Sequence, residues 1–316
     1  MPVTLTFNPA GPKFSISADA VMPTIVATAT LSGVQIDPKS PPVYTWAASL
    51  KFDGAVTPHG TGRTTAHSPI DGQVGPKNTY SIPFKEVRGG VLTVTVSVKV
   101  GTATLTATSA NLTIVGTNPT PAAIKTQANA IGGSKVRFRK QMRQESSLLQ
   151  FAAQGWPHYS GDNLGGVGLC QLTIPAPTAD QTWNWKVNLQ GGWNLYLEKE
   201  RIARGYANLV RNGPTFRALV AAWNAQPARK GKPPIAVTLP DYTADQLELD
   251  TIRGFNGYAG GLHEFRVRTD AQGRLVVSLN AAGTAGAAEW ERVPVSARGT
   301  SGDPNYVNNV EVQADF

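Results

Sequence analysis

Cysteine is almost missing from this chain: Cys170 is the only one in 316 residues. A lone thiol excludes an intrachain disulfide framework and any cysteine cluster for a metal. Histidine is scarce too. His59, His67, His158 and His263 are scattered without ligand-like spacing, so no metal is expected. No apolar run approaches the ~20 residues of a membrane span, and membrane insertion is not expected. The opening Met1-Pro2-Val3-Thr4-Leu5-Thr6 has no basic stretch followed by a long apolar core. It reads as a protein made in the cytoplasm without an N-terminal signal. Acidic residues fall short of basic ones, 21 against 29, for a net charge of +8. That surplus points to an anionic partner: wall polymer, nucleic acid or membrane surface. Charge alone does not choose among them.

With 41% hydrophobic residues, the chain has the length and composition for two globular domains. Residues 1–116 read as all-β. In Val91 to Val100, the residues Val94, Val96, Val98 and Val100 alternate with Thr, Ser and Lys, the period of a half-buried strand. Gly101 turns the chain, and Ala103, Leu105 and Ala107 begin the return of a hairpin. Shorter β-rich segments at Lys13–Ser17, Ile25–Leu31, Tyr44–Phe52 and Thr79–Phe84 suggest an immunoglobulin-like sandwich, with Trp46 in its core. Its acidic residues are sparse and sit mostly in turns, as at Asp37, Asp53 and Asp71, so a docking, binding or spacer role, or a passive folding domain, suits it better than chemistry. The stretch Gly116-Thr117-Asn118-Pro119-Thr120-Pro121 is rich in Gly, Pro and polar side chains, and 117–123 reads as a linker. From 124 to 316 the pattern is mainly helical. Pro121–Ile131 reads as a helix opened by proline and closed by Gly132-Gly133.

The stretch that bears chemistry runs from Phe138 to Gln171. Placed on a helix, Phe138, Met142, Glu145 and Leu149 share one face. Glu145 then lies in an apolar stripe, where a carboxylate loses hydration and its protonated form is favoured. A general acid working near neutral pH needs that setting. An ion pair with Arg139 or Arg143 is the plainer alternative. The basic cluster Lys135, Arg137, Arg139, Lys140 and Arg143 precedes the glutamate. No nucleic-acid motif accompanies it, so a solvated face or an anion-facing rim is expected and nucleic acid is not. The glycines between Gln154 and Gly168 superficially resemble a nucleotide loop, but no Lys-Ser/Thr pair follows them. Trp156, Tyr159, Trp183, Trp185 and Trp193 are either sugar-stacking or core residues. Asp162 is the candidate second carboxylate of a hydrolase, or simply a loop-holding residue.

Glu145-Ser146, then Gly168-Leu169-Cys170-Gln171, then an aromatic-Asn stretch resemble, in order, the motifs of the soluble lytic transglycosylase and goose-type lysozyme family. Cys170 stands where the family usually has Met. The resemblance covers about Pro121 to the C-terminus. It implies a lysozyme-like, mainly α domain there. With the strand pattern of the first third and the β-rich segments Phe265–Val277 and Trp290–Val293, the expected fold is multidomain: an N-terminal all-β sandwich followed by a mainly α lysozyme-like domain with a small β elaboration. Asn188 falls where the family has an Asn at the start of a long helix. Two stretches compete for the last motif, Trp223-Asn224 and Phe255-Asn256-Gly257-Tyr258; the second is preferred because Gly follows its Asn. The family usually has Tyr where this chain has Phe255. Tyr306 matches the tyrosine of its last helix.

The activity implied is cleavage of the β-1,4 bond between N-acetylmuramic acid and N-acetylglucosamine. Glu145 would protonate the glycosidic oxygen. Ser146, Gly168, Leu169, Gln171, Phe255, Asn256, Tyr258 and Tyr306 would hold the glycan, with no cofactor. Lytic transglycosylase is preferred over phage muramidase because no second carboxylate is obvious. The alternative from another class is a non-enzymatic glycan-binding or structural protein. An antibacterial, type VI-like effector delivered to the periplasm or wall of a target bacterium is the expected setting. Its expected partners are peptidoglycan, an immunity protein and a secretion-apparatus component.

Overall fold

The computed structural model describes residues 3–67, 69–162, 165–256, 263–299 and 302–316. Strands come first in the chain: β1 (Val3–Asn8), β2 (Lys13–Ile16), β3 (Val26–Leu31), β4 (Val43–Asp53), β5 (Thr64–Ala66), β6 (Ile70–Gly75), β7 (Thr79–Ser81), β8 (Gly90–Val100), β9 (Ala103–Thr108) and β10 (Leu112–Gly116). β4 and β8 pair antiparallel from Val43↔Lys99 to Lys51↔Val91. Their alternation is strict: Tyr44, Trp46, Ala48, Leu50 and Phe52 are buried on one strand, and Leu92, Val94, Val96 and Val98 on the other. The period-two pattern thus puts one face of each strand into the core. Around this pair lies a seven-stranded sheet in the order β2-β10-β8-β4-β5, with β6 on β4 and β9 on β8; β1-β3-β7 form a separate three-stranded sheet.

Helices follow: α1 (Pro121–Ala130), α2 (Val136–Ser146), α3 (Ala179–Trp183) and α4 (Trp185–Asn212). Pro121 occupies the first turn of α1 and the Thr120 side chain caps it, as proline's fixed φ and a hydroxyl acceptor favour. After α4 come α5 (Pro214–Asn224), β11 (Ala236–Thr238), α6 (Ala244–Arg253), β12 (Phe265–Val267), β13 (Val277–Leu279), β14 (Ala285–Ala288), β15 (Trp290–Arg292) and α7 (Tyr306–Glu311).

The expected succession of an all-β sandwich and a mainly α domain is not what forms. The fold is mixed, 30% helical and 27% strand, with several small sheets. Strands return after 235: β11-β14-β13 make one sheet and β12-β15 another. Nor does the chain divide at 117–123. One compact unit holds Met1–Ser134 and Glu145–Gly192 with Phe316, and the other holds Lys135–Gln144 and Trp193–Asp315. In the first unit, Phe151, Tyr159, Val167 and Trp183 belong to the same buried cluster as the strand residues Trp46, Phe52 and Val94. A Cβ on Gly89 would lie 2.1 Å from the Trp183 ring, so the backbone just before β8 packs directly on that indole. The segment read as a linker is pinned. Asn118 Oδ1 accepts from the backbone N–H of Gln150 and of Phe151, at 2.9 and 2.8 Å, while its Nδ2 donates to Phe151 O.

In the second unit Phe138, Trp193 and Tyr196 form an aromatic core, with Trp193 and Tyr196 stacked at 5.2 Å. Of the hairpin expected between Phe265–Arg268 and Leu275–Val277 the tip forms: Thr269 and Leu275 bridge, Val276 N–H donates to Arg268 O at 3.2 Å, Asp270 N–H to Arg274 O at 2.8 Å, and the chain turns at Asp270–Gly273. The strands on either side pair elsewhere, β12 with β15 and β13 with β14.

Candidate functional site

α2 ends abruptly after Glu145-Ser146. Ser147 and Leu148 both adopt left-handed backbone, φ 55° and 67°, a conformation that costs non-glycine residues roughly 1–2 kcal/mol each. Leu149, expected on the helical stripe, therefore lies beyond the helix. Phe138 and Met142 are buried, as their spacing requires. Glu145 is half-buried and belongs to the first unit.

Within that unit, Gly168-Leu169-Cys170-Gln171 is a tight turn. Gln171 N–H donates to Gly168 O at 3.2 Å, and Val167 and Leu172 exchange backbone hydrogen bonds across its base. Ser146 Oγ donates to Leu169 O at 2.9 Å and so joins the end of α2 to the turn. Two amides that are 0% exposed hold the turn from inside. Gln150 Oε1 accepts from Leu169 N–H, while its Nε2 donates to the carbonyls of Gln181 and Thr182. Asn188 Oδ1 accepts from Cys170 N–H, while its Nδ2 donates to Val167 O and Gln181 O. Every polar atom of both amides is thereby used, the condition for burying them without penalty. Gly168 is required on two counts. Its φ is +72°, and a Cβ there would lie 2.4 Å from Gln150 Oε1 and 2.6 Å from Asn188 Nδ2.

Gln171, also left-handed at φ 46°, donates from Nε2 to Gly168 O at 2.9 Å; its Oε1 is buried without a partner. Cys170 is buried, which pushes its thiol far above the ordinary range, and the charge of nearby Glu145 pushes the same way. Glu145 and the turn are therefore electrostatic neighbours. Asp162 is exposed and accepts from Ser160 Oγ at 2.5 Å. Tyr159 is buried, raising its hydroxyl to about 12 against a lowering effect of Arg63. Arg63 stacks over its ring at 5.5 Å.

The tryptophans pack. Trp183 meets Phe52 edge-on at 5.2 Å, and Trp156 lies against Phe52 and Trp183. Trp185 is buried with its Nε1 donating to Ala18 O.

The remaining expected residues lie in the second unit. Asn224 is consumed locally: its Nδ2 donates to Val220 O and Ile235 O, and its Oδ1 accepts from Ile235 N–H. That amide fastens α5 to the approach of β11. Asn256 donates from Nδ2 to Asp303 O, and Phe255 packs at 6.1 Å from Tyr196. Tyr306 is buried and its hydroxyl accepts from Gln141 Nε2 at 3.3 Å. Gly257 and Tyr258 lie outside the described residues. The basic cluster on α2 is not a bare cationic face. Lys135 pairs with Glu200 and Glu248, Arg137 with Asp245, Glu248 and Glu311, and Arg139 with Asp315. Among the described residues no His, Cys, Asp and Glu group has the make-up of a metal site, and no helix is long and apolar enough to cross a membrane.

The sequence reading missed Gln150. It stands outside every motif, and nothing in a lone polar residue announces that it is fully buried. Compared with protein-family models and with curated proteins, the chain matches none.

Proposed function

We propose that this chain cleaves peptidoglycan, as a lytic transglycosylase with Glu145 as its acid and then its base. The observation that carries the reading is the junction of Glu145-Ser146 with the Gly168–Gln171 turn, through the Ser146 Oγ bond to Leu169 O. These are the two motifs whose order resembles the lytic transglycosylase family, and a half-buried carboxylate beside a rigid turn suits general acid catalysis. In this reading Glu145 protonates the oxygen of the bond between N-acetylmuramic acid and N-acetylglucosamine. The same carboxylate then takes the proton of the muramyl 6-hydroxyl as that oxygen attacks the anomeric carbon and a 1,6-anhydro ring closes. Gln150 and Asn188 act as positioning residues: they hold the turn and never touch the glycan. Asp162 has no step in this route. The exposed position of Asp162, hydrogen-bonded to Ser160, agrees with a loop-holding role.

Release of soluble fragments from dye-labelled peptidoglycan tests the proposal. Glu145→Gln is expected to lower the rate by about 10²–10⁴-fold, the usual contribution of a general acid, with the unfolding midpoint unchanged. A variant that keeps wild-type activity would remove Glu145 from the reaction.

A further inference from the structure

Carboxylates of the second unit neutralise the basic cluster of α2, so the chain's surplus of positive charge lies elsewhere. Residues 201–240, which form the second half of α4, α5 and the approach to β11, hold seven Arg and Lys and no Asp or Glu. Carboxylates from outside the stretch reach two of the seven: Glu200 pairs with Arg204, and Asp241 with Arg211. Among the described residues, Arg217, Arg229, Lys230 and Lys232 meet no carboxylate. Two contacts fasten the last three against α5. Asn224 bonds Ile235 through both N–H and carbonyl. Arg229 lies over the Trp223 ring at 4.6 Å and donates from Nη2 to Pro233 O at 3.0 Å. The chain between is a tight turn, with Lys230 N–H on Pro227 O and Lys232 N–H on Arg229 O. Lys230 and Lys232 are exposed on it, and Arg217 is exposed on α5. Arg217 precedes Asn224 by seven residues, which puts it on the same helix face about 10 Å along the axis. The exposed cations therefore spread along one side of α5 and do not converge on a pocket.

A row of solvated cations suits an extended polyanion better than a single small anion. The exposed apolar residues of α5 are Ala218, Ala221 and Ala222, too short for the anchoring that Trp, Phe or Leu gives a helix in a bilayer surface. The aromatic residue here, Trp223, is half-buried beneath Arg229, so it offers no open face for stacked bases. We infer that Arg217, Lys230 and Lys232 dock the protein on peptidoglycan through the carboxylates of its peptide stems. The choice of polymer rests on the cleavage reading proposed above. Cosedimentation of full-length Glu145→Gln with insoluble peptidoglycan tests the docking apart from cleavage. Binding is expected to weaken as ionic strength rises from about 0.05 to 0.5 M, and to be lost when the stem carboxylates are amidated. Adding Arg217→Glu, Lys230→Glu and Lys232→Glu should weaken it by about tenfold, since three exposed attractions become repulsions, with the melting temperature unchanged. Binding that ignores salt, amidation or the three substitutions would overturn the proposal. So would tighter binding to duplex DNA or to phosphatidylglycerol vesicles than to peptidoglycan. Salt-sensitive binding by a wild type that releases no fragments would keep the docking and remove the cleavage; fragments released by a wild type whose triple variant sediments equally would do the reverse.

Discussion

Gln150 and Asn188 each make three hydrogen bonds to backbone, joining the Gly168–Gln171 turn and its base to α3, with no solvent to replace them. Removing either amide strands buried donors and acceptors, and with about 1 kcal/mol net per bond the loss should reach about 3 kcal/mol. Asn188→Ala is the cleaner case, measured by urea denaturation; a loss below about 1 kcal/mol would mean that the turn holds without it. Cys170 gives a second check at this scale. Burial, with the charge of Glu145 adding to it, keeps the thiol protonated, so the folded protein should resist a thiol reagent at pH near 8 and react fully once denatured. Rapid labelling of the native protein would contradict the placement of that turn. Asn188 was legible through its motif. Gln150 was not, because burial of a polar side chain is decided by partners far away in sequence.

At the scale of elements, the end of α2 departs from its sequence pattern. Apolar spacing carried the helix through Leu149, but Asn118 captures the N–H groups of Gln150 and Phe151 and draws the chain away. The exit passes through Ser147 at φ 55°, an exposed residue with no apolar contact to lose. Ser147→Gly should therefore stabilise the fold by roughly 1 kcal/mol, read as a higher urea midpoint. Destabilisation would show that the serine side chain outweighs the backbone strain. The strands β4 and β8 were legible because alternation is local. The pairing of β12 with β15 was not, since a short apolar run does not name its partner. The Gly116–Pro121 stretch carries the composition of a linker, yet Asn118 pins it through contacts that composition does not encode.

For the whole molecule, the two units interrupt each other in sequence, and this explains why a single boundary could not be read from composition. Glu145–Gly192 packs with the N-terminal strands, and Arg88 pairs with Asp180 inside that unit. Stability of the first unit should also depend on pH. His67 and His158 both titrate below the ordinary 6.5, chiefly because burial disfavours the charged ring. Unfolding restores the ordinary value, so the unfolded chain binds more protons. The stability these residues contribute is present above that value and lost as pH falls through the folded values. The melting temperature should drop between about pH 7.5 and 5.5, less steeply in a His67→Gln, His158→Gln variant. Equal slopes would assign the acid sensitivity elsewhere. The central claim concerns Glu145 and is tested most directly by mass spectrometry of soluble fragments from purified peptidoglycan. Wild type should release muropeptides one water lighter than hydrolysed ones, and Glu145→Gln should release none. Hydrated ends would contradict the transglycosylase route and bring Asp162 into the reaction, and a wild type that releases nothing would contradict cleavage itself.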